Sequence, residues 1–90
     1  MLERLTRDPM ADAWHGAVRI LSLTAPAGRG RYQTCRMQLA LEATGLAPEN
    51  LDTEVVLDRR FWPDVGVVLP ARISRSLPRQ VEVAWDTLAP

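Results

Sequence analysis

Few groups in the chain are suited to covalent or acid–base chemistry, and for each a structural role is the simpler reading. His15 is the only histidine. No Ser-His-Asp or Cys-His arrangement therefore has a choice of base, and no His-rich metal site can form. The ring stands beside Gly16 at the start of a run with strand character, which suits a partly exposed structural histidine. Cys35 is the only cysteine and falls in phase with Met37 and Leu39. Its thiol belongs in the core as a small hydrophobe with a raised pKa, not at the surface as a reactive thiolate. Asp52, Glu54 and Asp58 share one face of another run, where alternate acids could hold a hard cation through oxygen ligands. No Asp-x-Asp-x-Asp-Gly loop accompanies them, so a solvated acidic face is the reading that follows. With no acid, base and nucleophile assembled, the sequence predicts no catalytic residue, no metal and no cofactor.

Recognition chemistry is better represented. Gly28-Arg29-Gly30-Arg31-Tyr32 has the look of a phosphate-binding loop, yet it precedes a strand, so no helix N-terminus waits for an anion. It reads as a flexible hairpin tip. Arg29, Arg31, Tyr32 and Arg36, joined by Arg59, Arg60, Phe61 and Trp62, would supply the charge and stacking that single-stranded nucleic acid needs on a small barrel. The stretch Arg59-Arg60-Phe61-Trp62-Pro63-Asp64-Val65-Gly66 is the most informative, because two large aromatics flank a turn next to solvent. Arg59, Arg60, Phe61 and Trp62 are the candidate docking residues for a protein partner or a second copy of the chain. Trp62 has two readings, a cap over one barrel end or an exposed anchor. Trp85 alternates in phase with Val81 and Val83 and is expected in the core, while Trp14 packs over a barrel mouth.

These residues must be positioned by strands. Period-two alternation marks five of them: His15 to Thr24, Tyr32 to Ala43, Leu51 to Asp58, Val67 to Ile73 and Arg79 to Asp86. In the first, Gly16, Val18 and Ile20 keep one phase and Leu21 and Leu23 the other, so a β-bulge is expected near Ile20. In the last two, setting Ile73 opposite Val81 keeps both apolar sets on one face and places Arg72 opposite Glu82. Pro70 lacks a donor and must lie at an edge, at a bulge or with its nitrogen turned away from a partner. Short Gly- and Pro-bearing gaps favour antiparallel neighbours, which predicts a five-stranded meander curled on itself. The expected class is all-β, a small antiparallel barrel or strongly curled sheet of the oligonucleotide-binding-like or SH3-like kind. Residues 1–13 read as a tail or a short helical turn around Leu2 and Leu5, and residues 14–88 as one barrel domain.

Composition bounds the rest. Ninety residues exclude two domains and bury only about 60 to 65% of the unfolded chain's surface, which leaves little room for a deep pocket. Eleven basic residues, all arginine, balance eleven acids, and zero net charge argues against a dedicated phosphate binder. Abundant Arg, Ala and Leu with no Lys is the imprint of a GC-rich genome, so arginine number alone carries little functional weight. No apolar run approaches the roughly 20 residues of a membrane-spanning helix. Glu3, Arg4, Arg7, Asp8 and Pro9 interrupt any signal-peptide core. With a single cysteine, these features predict a cytoplasmic protein without membrane insertion.

The stretch from Arg60 to Asp86, with Trp62-Pro63, Gly66, Leu69-Pro70, Ile73, Pro78, Val81, Val83 and Trp85-Asp86, resembles a run in small uncharacterised all-β proteins of actinobacteria. Their shared pattern is W-P-x-x-G-x-x-L-P-V-x-V-D-x-x-x-P-x-x-V-x-V-x-W-D. The likeness covers the last third of the chain, and Ile73-Ser74-Arg75 stands where those proteins carry Asp. It implies a fold and a lineage, and brings no activity or site residue with it. The sequence thus predicts a non-catalytic interaction module, with single-stranded nucleic-acid binding as the alternative.

Overall fold

A computed structural model describes residues 10–90. The helical turn expected around Leu2 and Leu5 lies outside these residues. Met10 begins a turn closed by the Ala13 amide donating to its carbonyl at 3.3 Å, and its side chain is buried. Five antiparallel strands follow in one strongly curled sheet: β1 Trp14–Leu23, β2 Tyr32–Glu42, β3 Glu49–Asp58, β4 Val68–Ile73 and β5 Val81–Val83. Two 3-10 turns, Arg59–Phe61 and Trp85–Leu88, complete the described elements. The all-β class read from alternation is the class observed.

Alternation sets which face is dry. Along β2, Cys35, Met37, Leu39 and Leu41 are buried while Thr34, Arg36 and Glu42 are exposed. They meet Val18 and Ile20 of β1, Leu57 of β3 and Leu69, Ala71 and Ile73 of β4 in one core. The β1–β2 register shifts between Ile20 and Ser22, the bulge anticipated from the change of phase. It turns Leu21 outward and returns Leu23 to the core side, which also tightens the local twist.

The strand order corrects the expected meander. It runs β3-β2-β1-β4-β5, so β4 lies beside β1 and not beside β3. This is the 4-1-2-3 spatial order of a Greek key. Gap length did not force adjacency. Residues 59–67 need cross only two strands, on the order of 10–15 Å, and nine extended residues reach about 30 Å. The crossing is tied down as it goes: the Gly66 amide donates to the Ile20 carbonyl at 2.8 Å, and the Ile20 amide to the Val67 carbonyl at 3.0 Å. Gly66 turns there with φ at +92°, a conformation that excludes most side chains.

The β4–β5 register pairs Ile73 with Val81 and Arg72 with Glu82, as alternation predicted, with Arg72 Nη1 at 3.3 Å from Glu82 Oε1. The last strand is shorter than expected, and Pro70 supplies the reason. The Ala84 amide donates to the Pro70 carbonyl at 2.9 Å, but proline has no N–H to return the second bond of that pair, and the ladder stops. The chain then folds into the Trp85–Leu88 turn. Trp85, expected as a core residue of a strand, is instead half-buried on that turn and packs against the core from its margin.

Candidate interaction surface

Antiparallel pairing of β2 with β3 places Tyr32 opposite Asp58 and thereby brings the two candidate sets together. Beyond that pair, the Arg59 amide donates to the Arg31 carbonyl at 2.6 Å. Asp58 is the hub. As the cap of the Arg59–Phe61 turn it accepts from the Arg60 amide at 2.9 Å, and its carboxylate receives Arg60 Nη2 at 3.0 Å and Arg31 Nε at 3.1 Å. The Asp58 side chain is 14% exposed while those of Arg31 and Arg60 are 56% and 58% exposed, so the acid sits beneath two outward-facing guanidinium groups. Hydrogen bonds from Arg60 above all, and from Arg31, hold the Asp58 carboxyl well below the usual carboxylate range, and Asp58 in turn raises the pKa of Arg60.

Each clamped arginine lies against its own aromatic neighbour. Arg31 Cζ is 5.2 Å from the Tyr32 ring centroid and Arg60 Cζ is 5.1 Å from that of Phe61. Tyr32 is exposed and Phe61 half-buried, and Phe61 is not among the residues packed on the core. Arg29 and Arg59 flank this patch with exposed side chains that have no partner among the described residues.

The other site residues stand apart. Trp62 turns back onto the core, its Nε1 donating to the Thr24 carbonyl at 3.0 Å, so of its two readings the cap is the one the structure adopts. Arg36 lies on the outer face of β2, bound to Glu54 at 2.8 Å. It lines a shallow trough of about 1000 Å³ with Thr24, Gln38, Asp52 and Glu54. The hairpin tip is less free than its glycines suggested. Gln33 accepts from the Ala27 amide and donates to the Gly30 carbonyl, both at 2.6 Å. Sequence reasoning had given Gln33 no role, and a glutamine in phase with Cys35 and Met37 was the signal that something polar needed it there.

Cys35 is fully buried, and burial pushes its thiol pKa up against the smaller effect of a weak contact with Thr24. His15 is exposed on β1 opposite Arg72. Among the described residues no three His, Cys, Asp or Glu side chains gather to hold a metal ion, and no helix is long and apolar enough to cross a membrane. The chain matches no family model, no curated protein and no solved structure.

Proposed function

We propose that this protein is a non-catalytic interaction module of the cytoplasm that docks an acidic face of a protein partner against the Arg31–Tyr32 and Arg60–Phe61 stacks. The Asp58 clamp is the observation that carries this reading. Docking normally costs about 0.5–1.5 kcal/mol for each flexible side chain it immobilises, and two arginines already held by a common acid have met part of that cost before a partner arrives. Arginine and aromatic groups presented together at an exposed turn are the composition of an interface centre. A lone buried thiol suits a reducing compartment.

A second reading, single-stranded nucleic-acid binding, is favoured by one fact: Arg31 and Tyr32, which follow the hairpin tip that carries Arg29, share a surface with Arg59, Arg60 and Phe61. It ranks below the first because Asp58 answers two of those cations and Glu54 answers Arg36, which leaves a weak field for phosphate. The test compares the parent with Phe61→Ala and Arg60→Ala after confirming that all three are folded at the assay temperature. A protein retained by the immobilised parent and lost from both variants supports docking at this patch, and sedimentation of the purified chain shows whether that protein is a second copy. Retention of the same proteins by all three chains overturns the reading. Micromolar binding of an oligothymidine of about 12 nucleotides in physiological salt promotes the alternative.

A further inference from the structure

We infer that the free edge of β3 accepts an extended peptide with basic side chains at alternate positions, paired antiparallel as a sixth strand. This site is separate from the clamped patch and does not rest on the function proposed for it. β3 is the terminal strand of the sheet, and among the described residues nothing pairs with its outer side. The Arg59 amide bonds to the Arg31 carbonyl, one step beyond the Tyr32–Asp58 pair and in register with it, so the odd-numbered residues of β3 turn their backbone groups toward β2. Backbone direction alternates along a strand, and Asn50, Asp52, Glu54 and Val56 therefore aim their N–H and C=O groups at the open edge. The ion pair of Arg79 with Glu49, at 3.1 Å, closes the edge at its first residue and leaves the stretch from Asn50 to Val56 open.

Charge selects the occupant. β3 carries Glu49, Asp52, Glu54 and Asp58 and no basic residue; Glu49, Glu54 and Asp58 are met by Arg79, Arg36 and Arg31 with Arg60, so Asp52 is the acid left for an added strand. Its partner on β2 opposite Asp52 is Gln38, and Asp52 is exposed with no ion pair of its own. A second copy is a poor occupant. Every central antiparallel register that keeps core side matched to core side sets Asp52 or Glu54 against Asp52, Glu54 or Asp58 of the copy, and like charges directly opposite are destabilising. The acids thus guard the edge against its own kind, as edge strands require, while favouring a strand of opposite charge. On the core side, Leu51, Thr53 and Val55 are half-buried at the margin and would receive apolar residues between the basic ones.

The probe is acetyl-Arg-Val-Arg-Ile-Arg-Val-Arg-amide, with a block peptide of the same composition and an alternating Glu counterpart beside it. Backbone amide exchange reports the site directly. The alternating basic peptide should slow exchange at Asp52, Glu54 and Val56 by at least about tenfold and leave Thr53 and Val55, already bonded to β2, unchanged. Asp52→Pro removes an edge donor without touching the β2 ladder and should reduce peptide binding at least about tenfold. Asp52→Lys should do the same by charge, and decides the matter if the proline chain fails to fold. Equal binding of the block peptide, equal binding of the Glu peptide, or no protection at the even-numbered amides overturns the proposal.

Discussion

At each end of β3 an acid is met by arginine and an aromatic ring, and the two ends put the same chemistry to different use. At the first, Glu49 holds Arg79, whose guanidinium lies 5.4 Å from the Trp14 ring while Arg75 lies 4.9 Å from it. Arg79 is only 16% exposed, and its Nη1 donates to the carbonyl of the fully buried Ser74 at 2.9 Å. This cluster ties the start of β3 to the approach of β5, the two margins of the half-barrel. At the other end Asp58 holds Arg31 and Arg60, but the cations and Tyr32 face water. Solvent access decides the role. A half-buried pair has few ways to rearrange and fastens the fold, whereas an exposed one contributes little to stability and leaves its cationic faces for a partner.

The largest effect should come from the fastened end. Arg79→Ala leaves Glu49 half-buried without its cation and uncovers Trp14, a change expected to cost about 1–3 kcal/mol, between the values for exposed and buried pairs. Urea unfolding measures it against Arg60→Ala, whose exposed pair with Asp58 should lower the midpoint less. If the two variants reverse that order, the division between a fastening end and a docking end is wrong.

A smaller effect tests whether the docking end is well sealed beneath its surface. Trp62 and Cys35 both address the Thr24 carbonyl, by a 3.0 Å bond and a 3.9 Å contact. Trp62→Phe removes the indole donor and should cost about 1 kcal/mol. In the parent, a thiol reagent should modify Cys35 only once denaturant is added, because the thiol is buried and its pKa is raised. The Phe variant should label faster in native buffer. Rapid labelling of the parent would mean that Trp62 does not seal this end.

What could be read beforehand follows the same contrast between local and distant information. Strand positions, the bulge near Ile20, the burial of Cys35 and the Ile73–Val81 register all depend on neighbours in sequence or on one tight turn, and alternation reported each of them. The Greek-key order depends on where residues 59–67 lead the chain, which no local pattern states. Trp85 kept its phase with Val83 on paper, but the missing donor of Pro70, fifteen positions earlier on the paired strand, ended that strand first. The Asp58 clamp joins residues 27 apart, and it was legible in principle. Once the turn at residues 43–48 fixes the β2–β3 register, Tyr32 must face Asp58.

Acid should separate the ends further. Asp58 has a folded pKa below its unfolded value of about 3.9, so the stability it lends is present above that pH and fades as pH falls toward the folded pKa. Asp58→Asn removes this dependence. Below about pH 4 the parent should lose stability more steeply than the Asn variant, as measured by thermal melting across a pH series. Parallel curves would show that the clamp contributes nothing to folding.

The smallest effect discriminates best between the two functional readings. Arg29 and Arg59 are both exposed and unpaired, so replacing either with Ala should leave stability unchanged. Their binding consequences differ by reading. A protein docking on the two Arg–aromatic stacks meets Arg59, next to Arg60, but not Arg29 out on the hairpin tip, so only Arg59→Ala should weaken the association. Phosphates running along the patch would engage both. Each substitution would then lower the slope of log affinity against log salt by roughly 0.7, the share of one phosphate contact on a single strand. A matched drop in salt slope for both variants would therefore replace the protein partner with a nucleic acid. An effect confined to Arg59 would fix the docking surface on the β3 side of the clamp.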